Sequence, residues 1–302
     1  MDTSKWLIQF EIAIKKNDLS DASSLLNEAK VALSAQETIS FYRQALNILQ
    51  QLSNIGELSR NISYNLAEVY RDQGDYEQAE AFLQYALIID EQTFGFEHPK
   101  VATDLGKLAG LYQDQGKYEQ AEALLQRGIA IDEKAYGPEH PEVATDLGNL
   151  AGLYQSQGKY EQAEVLYQRA LAIQEQTLRP EHPAVATILN NLAGLYQDQG
   201  KYEQAEVLLQ RALVIREQTL GPEHAEVATT LNNLAGLYQS QGKYEQAEVL
   251  YQRALTIREQ TLGPEHPEVA VILNNLADLY QSQGKYNESL QLLQRAKALE
   301  EH

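Results

Sequence analysis

Over residues 183–222 the apolar side chains of Val185, Leu189, Leu192 and Tyr196 fall at i, i+4, i+7 and i+11, which places them on one face of an α-helix. Asp198, Gln199 and Gly200 interrupt this stripe, and the glycine suits the left-handed backbone that closes a helix. The pattern restarts at Tyr202 and continues through Ala205, Leu208, Leu209, Ala212, Leu213, Ile215 and Thr219, a stripe of about five helical turns. GPEHA, residues 221–225, then stops it, since glycine breaks a helix and proline cannot continue one. In the copies at residues 137–141 and 263–267 a second proline follows the histidine and suits the first position of the next helix. The pattern predicts a helix A, a tight turn, a longer helix B and a loop.

This unit is repeated. LAGLYQDQGKYEQAE begins at Leu192, near-copies begin at Leu108, Leu150 and Leu234, and looser versions begin at Leu66 and Leu276, so every step from Leu66 to Leu276 is 42 residues. Neither helix of a unit can bury its stripe alone, whereas antiparallel pairs stacked on further pairs bury a continuous core. The expectation is an all-α solenoid. Ala193 and Ala205 are small enough to let the two backbones approach, and Tyr196 and Tyr202 bracket the turn. Most of the 18 tyrosines recur at these two positions and are read as core and turn residues, not as an aromatic cage.

Leu192, Ala193, Tyr196, Gly200, Tyr202, Ala205, Ala212 and Leu213 have the spacing of the tetratricopeptide repeat, whose usual period is about 34. The extra residues lie between Leu213 and Leu231, as an extended helix B and the GPEH loop. With LNNLAGLY in helix A and RALxIREQTLGPEHP closing helix B, this variant resembles the repeats of kinesin light chains and their prokaryotic relatives over residues 58–300. The resemblance implies a right-handed superhelix that binds protein. The near-identity of the copies and the glutamine-rich turns look bacterial rather than animal.

Six repeats are expected, at about 58–99, 100–141, 142–183, 184–225, 226–267 and 268–302. Residues 1–57 read as an N-terminal cap and a degenerate pair. FYRQALNILQQL, Phe41 to Leu52, matches LYQRALAIQEQT as a worn helix B, with Leu19 to Leu33 as its helix A. Residues 4–16 are expected to form one further helix in which Trp6 and Phe10 cover that pair.

A polar stripe runs along helix A. Thr187, Asn190, Asn191, Gly194, Gln197 and Asp198 recur at three- and four-residue spacing on the side opposite Leu189, Leu192 and Tyr196. In tetratricopeptide arrays the A helices line the concave surface, so the resemblance places this stripe in the groove. Followed through the repeats, one position reads Asn65, Lys107, Asn149, Asn191, Asn233 and Asn275, and the next turn reads Glu68, Gly110, Gly152, Gly194, Gly236 and Asp278. Asn190, Asn232 and Asn274 stand beside the first column, and Gln113, Gln155, Gln197 and Gln239 lie a turn beyond the second, with Arg71 in the first copy.

These positions are the candidate peptide-binding residues. Asparagine carries both a donor and an acceptor and so can hold an extended backbone whatever its side chains. Glycine in mid-helix costs about 1 kcal/mol relative to alanine, so its repetition points to a close approach. Two readings stand: the columns contact a partner's peptide, or adjacent A helices meet there and the asparagines hydrogen-bond along the stack. Lys107 and Arg71 break the columns and are placed to meet an acidic group on a ligand. Glu68, Asp72, Asp114, Asp198 and Asp278 outnumber them, which leaves the groove neutral to acidic.

Charge narrows the partners. Asp+Glu 43 against Lys+Arg 24 gives a formal net charge of -19, which repels nucleic acid and anionic membrane and favours a neutral to basic protein or peptide. It also argues against the acidic cargo peptides of kinesin light chains, and the heptad region that joins them to a motor is missing here, so the resemblance implies a binding solenoid and not a motor subunit. The chain has no cysteine, hence no disulfide framework, and a cytoplasmic protein without a membrane span or signal peptide is expected.

His98, His140, His182, His224 and His266 form a column, each preceded by glutamate, but successive copies would stand about 10 Å apart, too far to share an ion. No metal, cofactor or catalytic motif is expected. The leading expectation is a non-enzymatic adaptor, monomeric or weakly self-associating. A structural self-assembly module and the sensor segment of a larger signalling protein are the alternatives.

Overall fold

A computed structural model describes residues 3–16, 18–50 and 56–300. Fifteen α-helices and no strand are found among the described residues. None of these helices is long and apolar enough to cross a membrane. The chain divides between Pro138 and Glu139 into two compact units.

Unit 1 opens with α1 (Thr3–Lys15), α2 (Leu19–Ala32) and α3 (Ala35–Gln50), followed by the pairs α4 (Gly56–Asp72) with α5 (Tyr76–Phe94) and α6 (Pro99–Asp114) with α7 (Tyr118–Tyr136). Unit 2 holds four pairs: α8 (Pro141–Ser156) with α9 (Tyr160–Leu178), α10 (Pro183–Asp198) with α11 (Tyr202–Leu220), α12 (Ala225–Ser240) with α13 (Tyr244–Leu262), and α14 (Pro267–Ser282) with α15 (Tyr286–Glu300). Within each unit a B helix packs on its own A helix and on the A helix of the next repeat. The architecture is an all-α solenoid of stacked helix pairs.

The core is the pair of stripes read from the sequence. In the α10–α11 repeat Val185, Ala186, Leu189, Ala212 and Ile215 are buried together, with Leu171 of the preceding B helix packed on them. Ala193 and Ala205 have no exposed surface, which is what close helix approach requires. The A-to-B turn is a Schellman cap: Lys201 N–H donates to Tyr196 O at 2.8 Å and Gly200 N–H to Gln197 O at 2.9 Å, with Gly200 at φ 71°.

The first three helices depart from this regularity. α1 packs on both α2 and α3, while α2 and α3 touch one another only lightly. Trp6, Phe10 and Ala13 of α1 are buried, and Phe10 meets Phe41 edge-on with centroids 6.1 Å apart. α3 begins at Ala35, six residues before the expected Phe41, because Ser34 and Glu37 form a capping box: Ser34 N–H donates to Glu37 Oε2 at 3.0 Å and Glu37 N–H to Ser34 Oγ at 3.5 Å. The expected helix end at Leu52 lies outside the described residues.

Repetition also recurs in the contacts between repeats. Tyr196 donates to Glu164 of the preceding repeat at 3.1 Å, while Lys201 Nζ reaches the same carboxylate at 3.3 Å and stands 5.2 Å from the Tyr196 ring centroid. Tyr238, Lys243 and Glu206 repeat the arrangement, as do Tyr280, Lys285 and Glu248, and in unit 1 Tyr112, Lys117 and Glu80. Arg211–Glu175, Arg253–Glu217 and Arg295–Glu259 join consecutive B helices of unit 2 at 2.6–2.7 Å. Each partly exposed pair contributes at most about 1 kcal/mol, but every copy needs the same partners in the copy before it.

The histidine column has a structural role. His98, His140, His182, His224 and His266 are N-caps of α6, α8, α10, α12 and α14, and each Nδ1 accepts the N–H two residues on at 3.2 Å. An imidazole thus satisfies one of the four open donors at a helix start, a task usually given to serine, threonine or aspartate. Among the described residues no group of three His, Asp or Glu side chains could hold a metal ion.

Candidate functional site: the polar face of the A helices

In unit 2 the polar stripes of α10, α12 and α14 converge on a cavity of about 420 Å³. It gathers Asn190, Asn191, Asn232, Asn233 and Asn275 with Gln155 and Gln197. Gly194 gives it depth, because a helix without a side chain at that turn leaves its backbone accessible, whereas Gly236 faces the Tyr251 hydroxyl. Asn149 on α8, Gln239 on α12 and Asn274 on α14 lie outside its lining. The candidates of unit 1, Asn65, Arg71, Lys107 and Gln113, belong to α4 and α6 and form no part of it.

The two asparagine columns behave differently. Asn190 is buried, and its amide donates to Ala186 O at 2.9 Å and to Thr230 Oγ1 of the next repeat at 3.3 Å. It also accepts from Asn233 at 3.2 Å, and Asn232 accepts from Asn275 at 2.8 Å, so diagonal amide bonds tie successive A helices together. Asn149 and Asn191 are exposed. One turn further on, Gln155 Nε2 donates to Asp198 at 2.6 Å and Gln197 Nε2 to Ser240 Oγ at 3.3 Å, forming a rim of the same kind. The face combines amides engaged along the stack with amides turned to solvent.

The cationic candidates of unit 1 are engaged. Arg71 Nε pairs with Asp114 at 2.5 Å, and Lys107 Nζ stands 4.8 Å from the Tyr64 ring centroid. Asn65 donates to the Tyr42 hydroxyl at 3.3 Å, which itself donates to Leu26 O at 2.9 Å.

Two residues that periodicity does not single out belong to the site. Tyr167 and Tyr251, on the B helices α9 and α13, reach across to the A-helix face and line the cavity. Tyr167 donates to Gln155 Oε1 at 3.4 Å and Tyr251 to Gln239 Oε1 at 3.2 Å. Burial pushes both phenols up to about 12, so they remain neutral donors. Their signal in the sequence is an alternation at one B-helix position, Leu125, Tyr167, Leu209, Tyr251, Leu293, which a hydrophobic pattern treats as uniform.

The comparisons with known proteins bear on the family and the fold. Tetratricopeptide-repeat matches cover residues 58–134, 102–176, 184–260 and 226–301. The chain belongs to the tetratricopeptide-repeat family. Among solved tetratricopeptide structures it is similar to a Podosopora anserina putative kinesin light chain with nearly identical TPR-like repeats, at 33% identity, TM-score 0.55, covering 68% of this chain and 97% of that one. BtubC (BKLC) from P. vanneervenii shares the fold at 24% identity and TM-score 0.58, covering 82% of this chain and 92% of its own. A Rap protein complexed with competence and sporulation factor also shares it, at 16% identity and TM-score 0.58 over 99% of this chain and 97% of that one. A comparison with curated proteins returned no match.

Proposed function

We propose that this tetratricopeptide-repeat protein is an adaptor that binds, without catalysis, an extended peptide of a partner protein on the polar A-helix face of unit 2. The observation that carries the proposal is the cavity of about 420 Å³, lined mainly by uncharged amides, with Asn191 exposed at its edge. Such groups match the alternating donors and acceptors of a backbone and place no charge requirement on it. The net charge of -19 favours neutral to basic partners, and the acidic rim residue Asp198 acts in the same direction. The Rap protein with its bound factor supports the reading only so far as the fold accommodates a ligand.

The test uses a random twelve-residue peptide library displayed on phage and selected on the full chain. Enriched peptides are then measured by fluorescence anisotropy against the wild type and an Asn149→Ala, Asn191→Ala, Asn233→Ala triple variant. The reading expects affinity to fall at least about tenfold as backbone hydrogen bonds are lost. Equal binding to both proteins would make the asparagines part of the scaffold.

A further inference from the structure

The glycines of the A-helix column, Gly110, Gly152, Gly194 and Gly236, divide into two kinds. A methyl group placed on Gly152 would stand 3.4 Å from the Tyr167 hydroxyl, and one on Gly236 would stand 3.4 Å from the Tyr251 hydroxyl, so at these two turns a phenol lies in van der Waals reach and leaves room for little more than a methyl. A methyl on Gly194 would meet nothing nearer than Gln155 Nε2 at 3.9 Å, and one on Gly110 nothing within 4 Å. The difference follows the B-helix alternation. Where the repeat carries tyrosine the glycine turn is occupied, and where it carries Leu125 or Leu209 the turn is open. Gly152 and Gly236 therefore host a side chain of the protein's own, while Gly194 leaves a notch between the hydroxyls of Tyr167 and Tyr251, all three lining the same cavity.

We infer that the Gly194 notch, made by Leu209 between Tyr167 and Tyr251, is a subsite for a carboxamide side chain, glutamine or asparagine, of the bound peptide. This rests on the groove reading above and adds to it which residue selects the ligand. The walls carry amide donors and acceptors and two phenolic hydroxyls, the inventory that a carboxamide satisfies from both its ends. No charged side chain lines the cavity, so a carboxylate would lack a counter-charge and meet repulsion from Asp198 at the rim, while an ammonium would find only that one carboxylate, outside the lining and already engaged by Gln155. An aliphatic side chain would take water from the exposed Asn191 amide at the notch without replacing its hydrogen bonds. Leu209 sets the specificity by what it lacks: it is the tyrosine of the neighbouring repeats without the ring that would close the notch.

Leu209→Tyr tests this with a residue that two other repeats accommodate opposite a glycine. The enriched phage peptides are measured on the wild type, on Leu209→Tyr and on Gly194→Leu, which fills the notch from the A helix, with circular dichroism melts of each. The inference expects every peptide that depends on Asn149 and Asn191 to contain glutamine or asparagine. Affinity should fall about tenfold or more on Leu209→Tyr or Gly194→Leu, and replacement of that one peptide residue by alanine or glutamate should reproduce the loss. Peptides that depend on the asparagines yet bind Leu209→Tyr and Gly194→Leu like the wild type overturn the subsite and leave the groove reading standing. Peptides insensitive to the asparagines overturn both. If Leu209→Tyr melts early, Gly194→Leu alone decides, since its Cβ meets only the Gln155 amide at 3.9 Å, the end of a flexible side chain.

Discussion

Where α4, α5 and α6 meet, Tyr64 donates to Asp104 and Arg60 forks onto Asp90 at 3.0 and 3.1 Å. Three repeats further on, where α10, α11 and α12 meet, the same positions are Asn190, which donates to Thr230, and Arg216 in place of Asp90. Arg216 donates to Thr230 Oγ1 at 2.7 Å and to Glu226 O at 3.1 Å, and its guanidinium meets the half-exposed Glu226 carboxylate at 2.7 Å. Copies that look alike on the surface thus differ at one buried polar node, two carboxylates around an arginine between α4, α5 and α6 and a single arginine between α10, α11 and α12. A hydrophobic core common to all repeats would pair any repeat with any other, whereas Asp90 opposite Arg60 and Arg216 opposite Thr230 and Glu226 would leave buried groups unsatisfied if exchanged. The difference teaches that near-identical repeats keep their order through a few buried positions.

The comparison can be broken most severely at Arg60. Asp90 has only 2% of its surface exposed, so Arg60→Ala leaves a buried carboxylate without its partner and should cost about 3–5 kcal/mol. Urea unfolding followed by circular dichroism measures it, and Arg60→Met with Asp90→Leu should restore most of the loss.

Asp104 gives the next largest effect, and of the opposite sign. Burial, more than any other influence, pushes its carboxyl up to about 6; Asp90 adds to the rise, while the Tyr64 hydrogen bond, Arg60 and Lys107 oppose it. The folded value lies above that of the unfolded chain, so the folded state holds the proton more tightly. The resulting stabilisation is complete below about pH 4 and is lost as the pH rises through about 6. Asp104→Asn, which keeps an acceptor for Tyr64, should therefore raise stability by about 2–3 kcal/mol at pH 7.5 and change little at pH 4. Equal gains at both pH values would contradict it.

A smaller divergence sits in the loops. Arg179 takes the helix-ending position held by Gly95, Gly137, Gly221 and Gly263, at φ 80° and ψ 150°, a region that only glycine occupies without strain. Arg179→Gly should stabilise unit 2 by about 1 kcal/mol, seen as a higher melting temperature. The smallest expected change is at Arg216. Its carboxylate partner is half exposed, so Arg216→Met removes a buried cation without stranding a buried anion and should shift stability by less than about 1 kcal/mol. A loss as large as that of Arg60→Ala would erase the proposed difference between the nodes.

How much of this was legible in the sequence follows from what periodicity records. Helix pairs, turns and the stacked core were readable because Val185, Leu189 and Leu192 repeat at helical spacing and the whole unit repeats at 42 residues. The node was not, because such a reading counts apolar residues as core and leaves Asp104 or Arg216 to the surface. Periodicity puts Asn190 with Asn191 on one polar face, yet a one-residue step of 100° turns it toward α12. The histidine caps carry no sequence signal because imidazole is not the usual capping group, and the start of α3 lies outside the stripe because Ser34 and Glu37 signal a helix without any apolar pattern. Tyr167 and Tyr251 were hidden by resembling their leucine counterparts in hydrophobicity while differing in reach.

The central claim is that the outward asparagines bind and the inward one supports. It is tested most directly by measuring the anisotropy and melting temperature of one enriched peptide complex with Asn149→Ala/Asn191→Ala and, separately, with Asn190→Ala. The account predicts that the first variant loses binding at least about tenfold while melting within about 2 °C of the wild type, and that the second melts several degrees lower, because Asn190 bonds to both Ala186 and Thr230. Undiminished binding by Asn149→Ala/Asn191→Ala, or an Asn190→Ala protein as stable as the wild type, would contradict it.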